Sequence, residues 1–146
     1  MQLDVLLLDI NSTLTLDGGL LAGVDADLRA LVGVLDVQLV LADTFRHLDK
    51  HRIAPFAQAK RLEPGRSDTA HEAEVVRQLG AERVVAIGNG ANDADMLRES
   101  ALGIAIVGPE GLGGGALAAA DVVVASINDA LALLVNSKRL IATLRR

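Results

Sequence analysis

The sequence contains no cysteine, tryptophan or tyrosine, and only two phenylalanines and three prolines. Without cysteine there is no disulfide, no thiolate nucleophile and no thiolate metal ligand. The scarcity of aromatic rings leaves no platform for stacking bases. Fourteen Lys and Arg stand against 19 Asp and Glu, net −5, with no basic stripe to follow a phosphate backbone. Nucleic acid is therefore not an expected partner. No apolar run reaches the ~20 residues needed to span a bilayer. No basic stretch precedes the first apolar run, so no secretory signal is expected, and the expected location is cytoplasmic. What is present is a chain of 146 residues, half of them apolar and mostly Ala, Val and Leu. That composition suits one domain with a real core rather than disorder.

Apolar runs alternate with amphipathic stretches. Asp4-Val5-Leu6-Leu7-Leu8-Asp9 reads as a strand buried on both faces of a parallel sheet. Leu14 to Leu21, with Asp17-Gly18-Gly19 inside it, reads as a small hairpin flap. Asp25 is expected to cap a helix over 26–35. Val37 to Ala42 is a second strand ending at Asp43-Thr44. A short helix over 45–51, broken before Pro55, and a third strand over 59–62 follow. Pro64-Gly65 makes a turn, and Ser67 or Asp68 opens a helix to Leu79 that Gly80 terminates. Arg83 to Gly88, Leu102 to Val107 and Asp121 to Ala125 are further strands, with helices over 92–100, just before Asp121, and over 129–135 and 138–144. Such alternation predicts an α/β fold, a mainly parallel sheet between two helical layers. There is no internal repeat and no linker, so 1–146 is expected to be a single domain.

Three strand ends carry chemistry: Asp9 with the turn Asn11-Ser12-Thr13 behind it, Thr44, and the loop Gly88-Asn89-Gly90-Ala91-Asn92-Asp93. Ligands in open α/β sheets sit outside the C-terminal ends of the strands. Asp9 and Asp93 suit Mg²⁺, which takes one or two carboxylates plus waters and phosphate oxygens. Thr44 can donate to a phosphoryl oxygen, with Ser12 and Asn92 as further phosphate-binding candidates. Together these residues point to phosphoryl chemistry at a metal-assisted aspartate.

Asp9-Ile10-Asn11-Ser12-Thr13-Leu14-Thr15 resembles the nucleophile motif of the haloacid dehalogenase (HAD) superfamily, and its Leu-Thr resembles the phosphorylation domain of P-type cation ATPases. Segments 73–79, 84–93, 102–106 and 118–124 continue the match in order, so the resemblance covers nearly the whole chain. It implies a Rossmann-like sheet without a cap domain, Mg²⁺ dependence and an aspartyl-phosphate on Asp9, with Asn11, Asn89 and Asp93 completing the metal site. The segments between motifs, 14–36 and 45–70, are too short for a large cap.

Three departures from that pattern matter. The family's phosphatases carry a general acid/base two residues after the nucleophile, a device worth about 10²–10⁴-fold. Here that position is Asn11, which can offer its backbone carbonyl to a cation but cannot shuttle a proton. The family's loop aspartate is Asn89. The family's lysine falls on Glu72, a reversal of sign, with Lys60 and Arg66 as possible substitutes. If Glu72 points inward, Asp9, Glu72 and Asp93 together give −3, equal to the family's four carboxylates and one lysine. If it faces solvent, the site is weaker for both cation and phosphate.

His47, His51 and His71 share no ligand spacing and read as surface or helix-end residues. Gly108 to Gly115 lacks the Gly-Lys-Ser/Thr of a P-loop and reads as a mobile loop. Lys138, Arg139, Arg145 and Arg146 complement a helix C-terminus and solvent. The chain is thus expected to be a Mg²⁺-dependent phosphohydrolase of reduced competence, acting on a small phosphorylated substrate with Asp9, Asn11, Thr44 and Glu72 at the catalytic positions. The alternative is a catalytically silent binding or regulatory module that kept the fold. A homo-oligomer is expected, because an open crevice needs cover.

Overall fold

A computed structural model describes residues 2–10, 13–16, 19–41, 58–61 and 68–145. Its main sheet contains β1 (Val5–Asp9), β4 (Asp36–Leu41), β5 (Gln58–Arg61), β6 (Val84–Gly88), β7 (Leu102–Ile106) and β8 (Val122–Val124). They lie in the order β5-β4-β1-β6-β7-β8, every neighbouring pair parallel. The short antiparallel pair β2 (Thr15–Leu16) and β3 (Gly19–Leu20) is the expected flap.

β1 is the middle of this arrangement, and its composition explains why. Val5-Leu6-Leu7-Leu8 has no polar side to offer water, and all four side chains are fully buried. Alternate residues feed opposite faces of the sheet. Leu6 and Leu8 pack with Leu28 and Leu31 of α1 (Val24–Val32), Leu131 of α5 (Ile127–Val135) and Leu140 of α6 (Ser137–Leu144). Val5 and Leu7 pack with Val75 and Val76 of α2 (Asp68–Leu79), Met96 and Leu97 of α3 (Ala94–Glu99) and Ala116 of α4 (Gly114–Ala119). Each buried Leu or Val stabilises this three-layer fold by about 1.5–3 kcal/mol. The expected α/β architecture is the one observed.

Helix ends differ from expectation in a physically clear way. Asp25 is not the cap of α1; it sits inside the first turn, where its charge faces the positive helix end. Gly23 is the cap residue, at φ 83°. The helix also stops at Val32, three residues early, because the Val34 and Leu35 amides both turn back to the Leu31 carbonyl. α5 begins at Ile127 rather than 129, since Ser126 caps it by accepting from the Asp129 amide. The helix expected over 45–51 and the turn at Pro64-Gly65 lie outside the described residues. No helix among the described residues is long and apolar enough to cross a membrane.

Candidate active site

β1 and β6 are neighbours with Leu8 opposite Ile87, so Asp9 ends its strand beside the start of the loop that follows Gly88. That loop closes through a tight 3₁₀ turn, Ala91–Asp93, which folds Asp93 back under the strand end. The absence of a side chain at position 88 makes this possible. A Cβ on Gly88 would sit 2.5 Å from Asp93 Cγ and Oδ2. Asp93 is completely buried, and its Oδ2 accepts from the Asn89 and Gly90 amides, both at 2.8 Å.

Glu72 reaches the same place from α2. It points inward, 1% exposed, which decides between the two orientations open to the sequence. Its Oε1 accepts from Asn92 Nδ2 at 3.1 Å, and the same amide lies 3.3 Å from Asp93 Oδ1. Asn92 is thus committed to the carboxylates. Glu72 Oε2 is buried and lacks a hydrogen-bond partner among the described residues. One oxygen from each of Asp9, Glu72 and Asp93 falls within 4.8 Å of the others.

Three carboxylates out of water at this spacing cannot all ionise cheaply. Burial pushes the Glu72 carboxyl up to about 10, with the charges of Asp93 and Asp9 adding to it and the hydrogen bond from Asn92 opposing. Burial also raises Asp93, against the lowering effect of the Gly90 and Asn89 amides. A proton on Glu72 removes one negative charge from the cluster.

Asn89 is nearly buried and held on both sides of its amide. Its Oδ1 accepts from Thr13 Oγ1 at 3.3 Å, and its Nδ2 donates to the Gly111 carbonyl at 3.2 Å. Thr13 carried no individual role in the sequence beyond its polar turn; only its packing against Asn89 reveals one. Asn11, Ser12, Thr44 and Arg66 lie outside the described residues. Lys60 is on β5, level with Val40, which is in turn level with Asp9. The structure therefore joins Asp9, Glu72, Asn92 and Asp93 in one cluster, with Asn89 beside it.

The donors are all oxygen, one of them lacks a partner, and the cluster carries excess negative charge. This set fits a hard divalent cation such as Mg²⁺. Asp9 is also placed where a strand-end carboxylate can act as a nucleophile.

No family model matches the chain. It is 43% identical over 72 residues, 49% of this chain and 77% of the relative, to uncharacterized protein MJ0073 of Methanocaldococcus jannaschii. Its fold is similar to the cobalt-bound deoxy-D-mannose-octulosonate 8-phosphate phosphatase of Haemophilus influenzae, with TM-score 0.70 and 15% identity over 96% of this chain and 92% of that one. It is also similar to the 3-deoxy-D-manno-octulosonate 8-phosphate phosphatase of Moraxella catarrhalis in complex with magnesium, phosphate and KDO. There the TM-score is 0.63 and the identity 17%, over 98% of this chain and 94% of that one. A phosphatase of the HAD superfamily from Bacteroides thetaiotaomicron shares the same architecture. The chain has the fold of the HAD superfamily, and it belongs to one family with the M. jannaschii protein.

Proposed function

We propose that the chain is a Mg²⁺-dependent phosphohydrolase of lowered activity that acts on a small phosphorylated molecule through an aspartyl-phosphate at Asp9. The observation that carries this reading is the approach of the Asp9, Glu72 and Asp93 oxygens to within 4.8 Å at the ends of adjacent parallel strands. Asp9, Asp93 and Glu72 would hold the cation, with the Asn11 backbone carbonyl as a further ligand. The cation supplies neutralisation of phosphoryl charge.

In the first step an Asp9 oxygen bonds to phosphorus while the bond from phosphorus to the substrate oxygen breaks. The leaving oxygen keeps the electron pair and takes its proton from water, because Asn11 has none to give. Thr44 and Ser12 are the proposed donors to the phosphoryl oxygens. Water then attacks the phosphorus, releasing phosphate and restoring the Asp9 carboxylate. Two features set the rate low: the missing acid at position 11, and the carboxyl of Glu72 where the family has a lysine. Fold similarity to phosphatases of phosphorylated sugars supports the substrate class.

A cation-binding module without turnover is the second reading, and the acidic Glu72 in the lysine position favours it. Hydrolysis of an aryl phosphate with and without Mg²⁺ separates the two. Mg²⁺-dependent turnover that Asp9→Asn abolishes supports the enzyme, whereas cation binding with no turnover supports the module. The proposal includes a single capless domain, a cytoplasmic setting and a homo-oligomer. An apolar pocket of about 270 Å³ between Leu35, Leu134 and Leu140, with exposed Val34 and Ile141 on its rim, offers apolar surface to a neighbour. Light scattering tests the assembly.

A further inference from the structure

The glycine-rich loop after β7 is tied to the acidic site by one side chain. Asn89 Nδ2 donates to the Gly111 carbonyl at 3.2 Å, and the Gly113 amide returns a hydrogen bond to the Asn89 carbonyl at 2.7 Å. Because Gly111 offers only an acceptor here, the NH₂ end of the amide must face it, which fixes the orientation of the group. The Asn89 oxygen then faces Thr13 Oγ1, 3.3 Å away. Thr13 belongs to the turn behind Asp9 and is fully buried; Asn89 is 6% exposed. One side chain thus connects the turns that follow three adjacent strands, β1, β6 and β7.

The loop is shaped for this contact. Gly111 sits at φ +91°, a conformation that a residue with a Cβ rarely adopts. A Cβ on Gly113 would come 2.8 Å from the Ala91 amide nitrogen. Residues 111–113 therefore lie directly on the loop that carries Asp93. A mobile glycine-rich segment would need neither the left-handed residue nor the close approach.

We infer that Asn89 is a positioning residue: with Thr13 it clamps residues 108–113 as a fixed wall of the site and couples that wall to the turn behind the nucleophile. This inference rests on the phosphohydrolase reading only for its kinetic consequences. An aspartate at position 89 would serve a cation better by charge, but it would have no donor for Gly111. The amide is the group that satisfies both neighbours.

Hydrogen exchange on the whole protein, without substrate, tests the clamp even if no aryl phosphate is turned over. Asn89→Ala and Asn89→Asp should each speed amide exchange across 108–113 by about fivefold to tenfold, the loss of roughly one hydrogen bond, while β1 and β6 keep parental protection. Thr13→Val should loosen the same loop, and Thr13→Ser, which keeps the hydroxyl, should restore parental exchange. In steady-state assays of an aryl phosphate, Asn89→Ala should raise KM and leave the Mg²⁺ concentration for half-maximal rate unchanged. Unchanged exchange in both Asn89 variants overturns the inference. So does an Asn89→Ala variant that needs more Mg²⁺ while its loop stays protected, since the residue would then act on the cation. An inactive parent whose loop still loosens on Asn89→Ala removes the hydrolase reading and leaves the clamp standing.

Discussion

One carboxylate oxygen of Glu72 lies within 4.8 Å of one of Asp93 inside the protein, and burial raises both groups above the usual carboxylate range. A helix residue and a loop residue, 21 positions apart in the chain, therefore behave as one acidic unit whose charge depends on what else is bound.

The first consequence is a pH dependence of stability. The Glu72 carboxyl is raised from 4.5 to about 10. Between those values the folded state holds a proton that the unfolded state has lost. Stability from this group is complete below the unfolded value and declines as pH rises toward the folded one, by at most about 1.4 kcal/mol per pH unit. Glu72→Gln keeps the shape and removes the titration. Urea denaturation at roughly pH 5.5 and roughly pH 8.5 should show the parent losing stability relative to this variant at the higher pH. Parallel behaviour of the two proteins would place the proton elsewhere.

Cation binding should displace that proton. Mg²⁺ prefers ionised oxygen donors, so its binding and the Glu72 proton compete. Calorimetry in buffers of different ionisation enthalpy should report release of about one proton per cation near neutral pH. The apparent affinity should rise with pH. In Glu72→Gln the release should vanish and the affinity fall by about tenfold or more. Equal proton release from parent and variant would exclude Glu72 from the cation site.

Much of this was legible in the sequence, and the reason is local. The run Val5 to Leu8 suits a doubly buried strand, and the place of Asp9 at the strand end follows from it. The loop Gly88 to Asp93 advertises itself through its glycines, and the structure shows their use at Gly88. Glu72 was less legible. Its spacing to the motif at 73–79 marked the position, but whether it faced water depended on how α2 docks on the sheet, which no local pattern encodes. Thr13 was invisible as an individual because its partner, Asn89, is 76 residues away. Asp25 suits both the cap and the first turn of α1 by charge, and the left-handed Gly23 at the cap leaves it the first turn.

Gly88→Ala should damage the site and the fold together. The new methyl would sit 2.5 Å from the Asp93 carboxyl, on a buried residue paired with Ala105 of β7. Overpacking of this kind costs about 1–3 kcal/mol. Asp93 would have to leave the Asn89 and Gly90 amides, so Mg²⁺ affinity should fall as well. A thermal melt with and without Mg²⁺ checks both effects: a lower Tm and a smaller Mg²⁺-induced rise. A parental melt in both conditions would mean that the loop adapts without moving Asp93.

Asp9→Asn should abolish hydrolysis while leaving the fold intact or more stable. The amide keeps the shape of the strand end, and it removes one of the charges that push Glu72 upward. The gain should be clearest above neutral pH, where ionising Glu72 beside Asp93 costs most. Circular dichroism melts and aryl phosphate assays on the same preparation would show it. Retained turnover in a highly purified variant would rule out Asp9 as the nucleophile.

The strongest test rebuilds what the sequence lacks. Asn11→Asp supplies the proton shuttle two residues after Asp9. Glu72→Lys removes one negative charge and adds a positive one at a buried position ringed by Asp9 and Asp93. An ammonium there has two carboxylates to pair with, so its burial is compensated rather than orphaned. Unit charges about 4 Å apart interact by about 4 kcal/mol at an effective dielectric of about 20, so the reversal should strongly favour a bound phosphoryl group. The same lysine takes an oxygen away from the cation, and saturating Mg²⁺ is needed to keep that loss out of the rates. Glu72→Lys alone should mainly lower KM, and Asn11→Asp alone should mainly raise kcat. The double variant should hydrolyse an aryl phosphate at least about tenfold faster than the parent, from the acid/base contribution alone. Steady-state kinetics on all four proteins decide the matter. A double variant that folds, binds Mg²⁺ and stays at background would show that the site no longer seats a phosphoryl group, and the silent cation-binding module would then be the better account of why Glu72 is where it is.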